Sequence, residues 1–363
     1  MTWGIAKDRA TSFPEKPAVL HRTAPERGLS AFAPAALADP FGRRISYLRL
    51  SVTDHCNLRC FYCMSGKVQF LPRADVLSLS ELYRVAESFI QLGVRAVRLT
   101  GGEPLMRRNL VWLVERLGRH VEQGRLDEVT MTTNGIHLAA NAARLRAAGL
   151  GRVNVSLDSL DPDTFGRITR HGELHRVLDG IEAAQAAGMT VKINTVALRG
   201  INEKDYDALI AWCGERGVDM TLIETMPLGE VTNAGAGLFL PLDEVRQRLE
   251  QRWTLVPSTH RTSGPSDYLT VLETGRRLGF ITPLSNCFCD RCNRVRVTCT
   301  GRLYQCLGQE EQAVDLRQVL RSRHDPSCLN RTIRDAIAAK PEGHDFKTAE
   351  KPVLSRHMNV TGG

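Results

Sequence analysis

The residues of this 363-residue chain best suited to chemistry are its ten cysteines. They fall well below the share of about 8–10% that marks a disulfide-stapled secreted scaffold, and a chain of this length builds a core without staples. Cys56, Cys60 and Cys63 stand in the run Cys56-Asn57-Leu58-Arg59-Cys60-Phe61-Tyr62-Cys63, with the spacing C-x3-C-x2-C. Three thiolates so close on one loop can face one centre. The three-residue gap matches the paired C-x2-C knuckles of structural zinc poorly, and it suits a cubane iron–sulfur cluster with one iron lacking a protein ligand. Spacing therefore favours a cluster over zinc, with inert buried thiols a distant third. Downstream, Cys289, Cys292 and Cys306 have the spacing C-x2-C-x13-C. Zinc needs four ligands and this set offers three unless Cys287 or Cys299 joins, so zinc and a second cluster stand level here. Arg294 and Arg296 follow, two residues apart; on a strand they project from one face, where two guanidiniums suit bidentate contact with an anion.

The elements that must position these groups are legible in the periodicity. Short β-rich runs occupy 45–53, 94–100, 128–133, 152–157, 190–196 and 220–224, and segments with helical spacing of apolar residues lie between them. Gly93, Gly149, Gly188 and Gly217 each fall between a helical run and the next strand, where a left-handed glycine ends a helix. Alternating β and α units imply a parallel sheet, because each parallel pair needs a crossover. Periodicity does not decide how that sheet closes. The first Cys loop directly follows the first strand. The proline-rich residues 1–44 read as a flexible extension, 45–240 as the α/β unit, and 241–363 as a smaller C-terminal unit carrying the second cysteine set and a tail that is flexible on composition.

Composition bounds the function. With 42% apolar and 24% charged residues and a mean hydropathy of −0.21, the chain reads as globular. It has no 18-residue apolar run to span a bilayer and no secretory h-region, so a cytoplasmic address and no membrane partner are expected. Asp8, Glu15, Glu26 and Asp39 spoil a transit-peptide pattern. The net charge of +8 favours an anionic partner. Because the basic residues are spread along the chain and form no blocks, nucleic acid is not expected to be that partner.

The C-x3-C-x-aromatic-C pattern, with Tyr62 as the aromatic, resembles the radical S-adenosylmethionine superfamily, and so does the segment Thr100-Gly101-Gly102-Glu103-Pro104 one βα unit later. The resemblance implies a partial (β/α)6 TIM-like barrel whose reactive groups collect at the C-terminal strand ends. Those ends here carry Thr132-Thr133-Asn134, Ser156-Leu157-Asp158, Lys192-Ile193-Asn194 and Glu224-Thr225-Met226. The run C-x2-C-N-R-x-R-x13-C and the terminal Gly362-Gly363 pair further resemble the GTP 3',8-cyclase family, which opens molybdenum-cofactor biosynthesis.

That resemblance implies two 4Fe–4S clusters, held by Cys56, Cys60 and Cys63 and by Cys289, Cys292 and Cys306. It implies S-adenosylmethionine contacts from Tyr62, Gly102, Ser156 and Met226, and GTP contacts from Arg49, Arg98, Thr132, Lys192, Arg294, Val295 and Arg296. Arg294, Arg296, Gly362 and Gly363 are the residues expected to serve catalysis, the glycine tail by reaching into the site. The implied lyase reaction has a 5'-deoxyadenosyl radical take the ribose 3' hydrogen, after which the carbon radical closes onto C8 of the purine. A reducing electron donor, a downstream enzyme of the pathway and a homodimer are the implied partners. Thr221 stands where the family usually has an arginine. Cys287 and Cys299 are expected to be bystanders, and Cys213 and Cys328 structural. Two rivals remain at this stage: a two-cluster radical peptide-modifying enzyme, and a zinc-containing basic nucleic-acid-binding protein.

Overall fold

The computed structural model describes residues 37–64, 68–226, 237–309, 312–322, 327–344, 346 and 358–362, all within a compact unit spanning Pro34–Gly363. Six strands form where alternation predicts them: β1 (Tyr47–Ser51), β2 (Ala96–Thr100), β3 (Glu128–Thr133), β4 (Arg152–Ser156), β5 (Thr190–Ala197) and β6 (Asp219–Glu224). They lie side by side in chain order, all parallel. The crossovers are helical, with α1 (Leu79–Gln91), α2 (Leu110–Glu122), α3 (Ala142–Ala147), α4 (Pro162–Thr169), α5 (Leu174–Ala186) and α6 (Tyr206–Glu215). Gly93, Gly149, Gly188 and Gly217 all have positive φ, as their places before strands require.

Period-two alternation sorts the side chains of these strands onto two faces. Leu48, Leu50, Val97, Leu99, Val129, Met131, Val153 and Val155 are fully buried in the one large apolar core. The residues between them, Arg49, Arg98, Thr132, Asn154 and Lys192, are polar and share the opposite face. A strand covered by helices on one side and by a ligand chamber on the other has this pattern.

The C-terminal segment does more than follow the βα units. After α7 (Leu242–Leu249), β7 (Leu255–Pro257), β8 (Asp267–Val271) and β9 (Arg276–Ile281) extend the sheet beyond β6, with β9 parallel to it. At the other end, β10 (Arg294–Val297) pairs parallel with β1 and is followed by β11 (Arg302–Tyr304) and β12 (Val314–Asp315). The six-strand sheet would otherwise expose two unpaired edges, and the same later segment covers both. The parallel portion therefore runs from β10 through β1–β6 to β9. The sheet order ends in β12 and β7, which are not paired with one another among the described residues. Two further helices, α8 (Leu316–Arg321) and α9 (Ser327–Ala338), pack outside, and a short α10 (Met358–Thr361) precedes the chain end.

Leu37–Arg44, grouped by sequence with the extension, belongs to the packed unit. Leu37 is buried, Ala38 bridges Arg44, and the Arg43 guanidinium pairs with Asp39. Residues 1–36 of the expected extension lie outside the described residues. No helix among the described residues is long and apolar enough to cross a membrane.

Candidate active site

A cavity of about 300 Å³ opens at the C-terminal ends of the parallel strands, and both cysteine triads line it. The first triad sits on the loop after β1. That loop is held from two sides. The Arg59 and Phe61 amides donate to the Thr169 and Ile168 carbonyls at the end of α4, and the Gly102 and Glu103 amides donate to the Thr53 and His55 carbonyls just before Cys56. Gly102 packs so closely here that a Cβ would lie 2.3 Å from the His55 oxygen and 2.5 Å from the Asp54 oxygen. Its glycine is thus required by the protein's own backbone. Glu103, fully buried, fastens the next loop by accepting from the Leu105 and Asn134 amides and from the Thr133 hydroxyl. Burial raises its carboxyl to about 7 against the pull of those three bonds.

Tyr62 donates to Asp158 Oδ2 at 2.8 Å, and Asp158 Oδ1 accepts from the Val196 amide. Burial raises Asp158 to about 6. Asp158, one of the polar groups at the end of the fourth strand, therefore orients the aromatic of the cysteine loop. Burial also pushes the thiols up, Cys56 to about 11 and Cys63 to about 12, and Cys60 rises as well; Cys63 and Cys56 raise Cys60 further, and Cys56 raises Cys63. Three buried thiols facing one cavity are a fit for a cationic iron group that takes them as thiolates. Among the described residues no three His, Cys, Asp or Glu groups converge tightly enough for a single metal ion.

The second triad lines the same cavity as the first. Its electrostatics differ: burial opposes ionisation of Cys292, yet Arg294 and Lys340 outweigh it and draw this thiol below its ordinary range. Cys287 is exposed and Cys299 is buried; neither lines the cavity. Cys213 is buried in α6.

Between the triads the strand register assembles a row of guanidiniums. Arg49 of β1 is level with Arg98 of β2 on one side and Arg296 of β10 on the other, and Arg294 is level with Tyr47. Burial, and then the neighbouring charges of Arg296, Arg98 and Arg294, drive Arg49 well below its ordinary value, with Tyr47 opposing. Arg98 is braced by Thr130 at 3.2 Å and lies over the Tyr47 ring, and Arg294 lies over the Phe288 ring. The chain end reaches this row: the Gly362 carbonyl accepts from Arg296 at 2.7 Å and from Arg49 at 3.4 Å. α10 is seated by the Met358 amide on the Cys63 carbonyl and by Asn359 on the Asp54 carbonyl. The tail that composition leaves flexible is thus ordered to Gly362. Gly363 lies outside the described residues.

Of the expected site residues, Tyr62, Gly102, Ser156, Met226, Arg49, Arg98, Thr132, Arg294, Val295 and Arg296 line the cavity with the six cysteines. Lys192 does not. Its Nζ instead donates to the Tyr268 hydroxyl at 2.5 Å. Thr221 is fully buried and level with Asn194 in the register. The side-chain oxygens of Thr132, Asn154, Thr221 and Ser266 are buried without a hydrogen-bond partner, and such orphans point to water or ligand. Sequence reasoning missed Asp158, Tyr268, Lys340 and Arg43 as supports of the site. A lone lysine or arginine outside a motif carries no spacing signal that could have revealed it.

Two family models match the chain: Radical SAM superfamily over residues 50–213 and Molybdenum Cofactor Synthesis C over 218–346. The second begins before β6, so it takes in the last strand of the βα series. The chain is 54% identical over 332 residues to the GTP 3',8-cyclase of Sinorhizobium medicae, covering 91% of this chain and 95% of that one. It is 57% identical over 333 residues to the GTP 3',8-cyclase of Erythrobacter litoralis, covering 91% of this chain and all of that one. Among solved structures, Streptococcus suis SuiB bound to S-adenosylmethionine aligns with a TM-score of 0.59 at 15% identity, over 87% of this chain and 77% of that one. That likeness is one of fold.

Proposed function

The chain belongs to the GTP 3',8-cyclase family of the radical S-adenosylmethionine superfamily, and from that premise we propose how its own residues divide the work. It converts GTP to 3',8-cyclo-7,8-dihydro-GTP, the first step of molybdenum-cofactor biosynthesis. Relatives more than half identical over nine tenths of the chain set aside the peptide-modifying and zinc-binding alternatives. Cys56, Cys60 and Cys63 would hold an iron–sulfur cluster, which together with bound S-adenosylmethionine would supply one-electron reductive radical chemistry.

The protein's share is binding, orientation and exclusion of water. We assign S-adenosylmethionine to the side of the cavity bearing Tyr62, Gly102, Ser156 and Met226, with Asp158 holding Tyr62. The observation that carries the substrate reading is the level row Arg98–Arg49–Arg296 with Arg294 beside it. Buried cations packed side by side repel one another, and a triphosphate relieves that repulsion while offering oxygens to each planar fork. Val295 and Thr132 line the same cavity, and the orphaned hydroxyl of Thr132 is a donor for the substrate's oxygens. Lys192, turned toward Tyr268, adds positive potential. Cys289, Cys292 and Cys306 hold a second cluster in this reading, in the same cavity as the first. Gly362 and Gly363 act from the tail, whose carbonyl already engages Arg49 and Arg296. Functionally the chain divides into an extension ending near residue 44, a radical-generating part to 240 and a substrate-anchoring part to 363. A reducing electron donor, a downstream enzyme taking the product, a homodimer and a cytoplasmic address complete the proposal.

Anaerobic reconstitution should give about eight irons per chain and no zinc; about four would remove the second cluster. Arg294→Ala and Arg296→Ala should retain that iron while product, measured by mass analysis after incubation with GTP, S-adenosylmethionine and reductant, falls by at least about tenfold. Unchanged turnover in both would sink the triphosphate clamp.

A further inference from the structure

Lys340 lies just beyond α9 and is 3% exposed, a rare state for a lysine. Its Nζ lies 3.7 Å from Cys292 Sγ, 3.3 Å from the Arg294 carbonyl oxygen and 2.5 Å from the Gln305 carbonyl oxygen. These partners come from two separate stretches, one bearing Cys292 and the other running into Cys306. One ammonium thus bridges both halves of the second triad. None of the three partners is a carboxylate. Two carbonyls offset part of the cost of burying the charge, and a full counter-charge arrives when the neighbouring sulfurs are thiolates.

Arg43 extends the arrangement from the far end of the sequence. Its guanidinium donates to the Cys289 carbonyl at 2.6 Å and to the Pro341 and Glu342 carbonyls. The backbone directly after Lys340 is therefore tied to the first cysteine of the triad. The first triad has no equivalent among its described sulfur contacts: Cys56 Sγ accepts from the neutral Asn134 amide and the Leu58 backbone. The two triads share a cavity but differ in the charge of the groups that touch their sulfurs.

We propose that Lys340 is a positioning residue of the second triad, whose ammonium, through its contact with Cys292 and its bridge to the Cys306 stretch, retains an anionic iron–sulfur group there and raises its reduction potential. The proposal rests on the reading of Cys289, Cys292 and Cys306 as a cluster site. Net charge and hydrogen bonds to sulfur are the levers by which a protein sets such potentials, and a nearby cation favours the more negative, reduced state.

The test uses the full chain with Cys56, Cys60 and Cys63 all changed to Ala, so that only the second site can load. On that background the parent is compared with Lys340→Met and Lys340→Arg by potential titration followed by electron paramagnetic resonance, and by the rate of iron loss to a chelator. Lys340→Met should lower the ratio of reduced to oxidised cluster about tenfold at a fixed potential, a shift of about 59 mV, and should lose iron faster. Lys340→Arg should stay near the parent. An unchanged potential and iron-loss rate in Lys340→Met would overturn the proposal, and so would a Lys340→Arg indistinguishable from it. If the triple-alanine parent takes up no cluster, the two-cluster reading itself falls, before any Lys340 variant is compared. Lys340→Met in the otherwise native chain checks folding: it should keep the first cluster, and loss of both would make Lys340 a general structural residue and overturn its local role.

Discussion

At the scale of single residues, burial moves the proton equilibria of the groups that hold the site together. Glu103 is the clearest case, because its carboxyl sits at about 7 against an ordinary 4.5. Between those values the native chain holds a proton that the unfolded chain has released. Its contribution to stability is therefore full below pH 4.5, falls as pH rises toward about 7, and is flat above. Thermal melts of the native chain and Glu103→Gln across this range should show the native chain losing stability relative to the variant up to about pH 7, with no further change above it. A constant difference would mean that the three donors around Glu103 hold it ionised throughout. Asp158 shows how far residue types alone can be read. Alone in the sequence it is a turn residue more often than not, and only its 2.8 Å contact with Tyr62 makes it part of the cysteine loop's support.

At the scale of elements, function depends on strand ends and on the loops that cross them. The cysteine loop, the Gly101-Gly102-Glu103 turn and the end of α4 form one hydrogen-bonded unit. Gly102→Ala would drive a methyl group into the Asp54 and His55 carbonyls, which no side-chain rotation can relieve. The expected cost is about 1–3 kcal/mol of stability, with loss of iron from the first triad because its loop must shift. Iron analysis of the variant beside its thermal melt checks this; full iron with an unchanged melt would show that the loop has slack. The six βα strands and their glycine-terminated helices were legible from periodicity because each is fixed by neighbours within a few residues. The register was not. Nothing local states that Arg296 stands beside Arg49, since the two are brought level by the pairing of β10 with β1.

At the scale of the whole molecule, the C-terminal segment completes what the βα units begin. It covers both sheet edges, brings the second triad into the same cavity as the first, and returns the chain end to the arginine row. Gly362 has φ +76° and packs against Thr100 and Ser51, so the tail is fitted to the strands it meets. Deletion of Gly362 and Gly363 should cut cyclisation by at least about tenfold, while the melting temperature and iron content stay close to those of the full chain. An active truncated chain, shown by product mass analysis, would reduce the tail to a plug. The expected division at residue 240 reads chemistry along the chain, whereas the packed unit from Pro34 onward treats both parts as one body.

By itself, the sequence determined the chemistry: two cysteine triads, a glycine-rich turn, an arginine pair, and a repeating βα framework to carry them. These are local properties, set by spacing along the chain and by the fixed periods of strand and helix. The tertiary structure alone decided which cations stand together, that Lys192 engages Tyr268, and that Lys340 and Arg43 reach the second triad from opposite ends of the chain. Contacts across some fifty to three hundred residues arise because unpaired strand edges and buried charges must be satisfied somewhere. Which segment satisfies them is settled by packing the whole chain, and no short window of sequence records it.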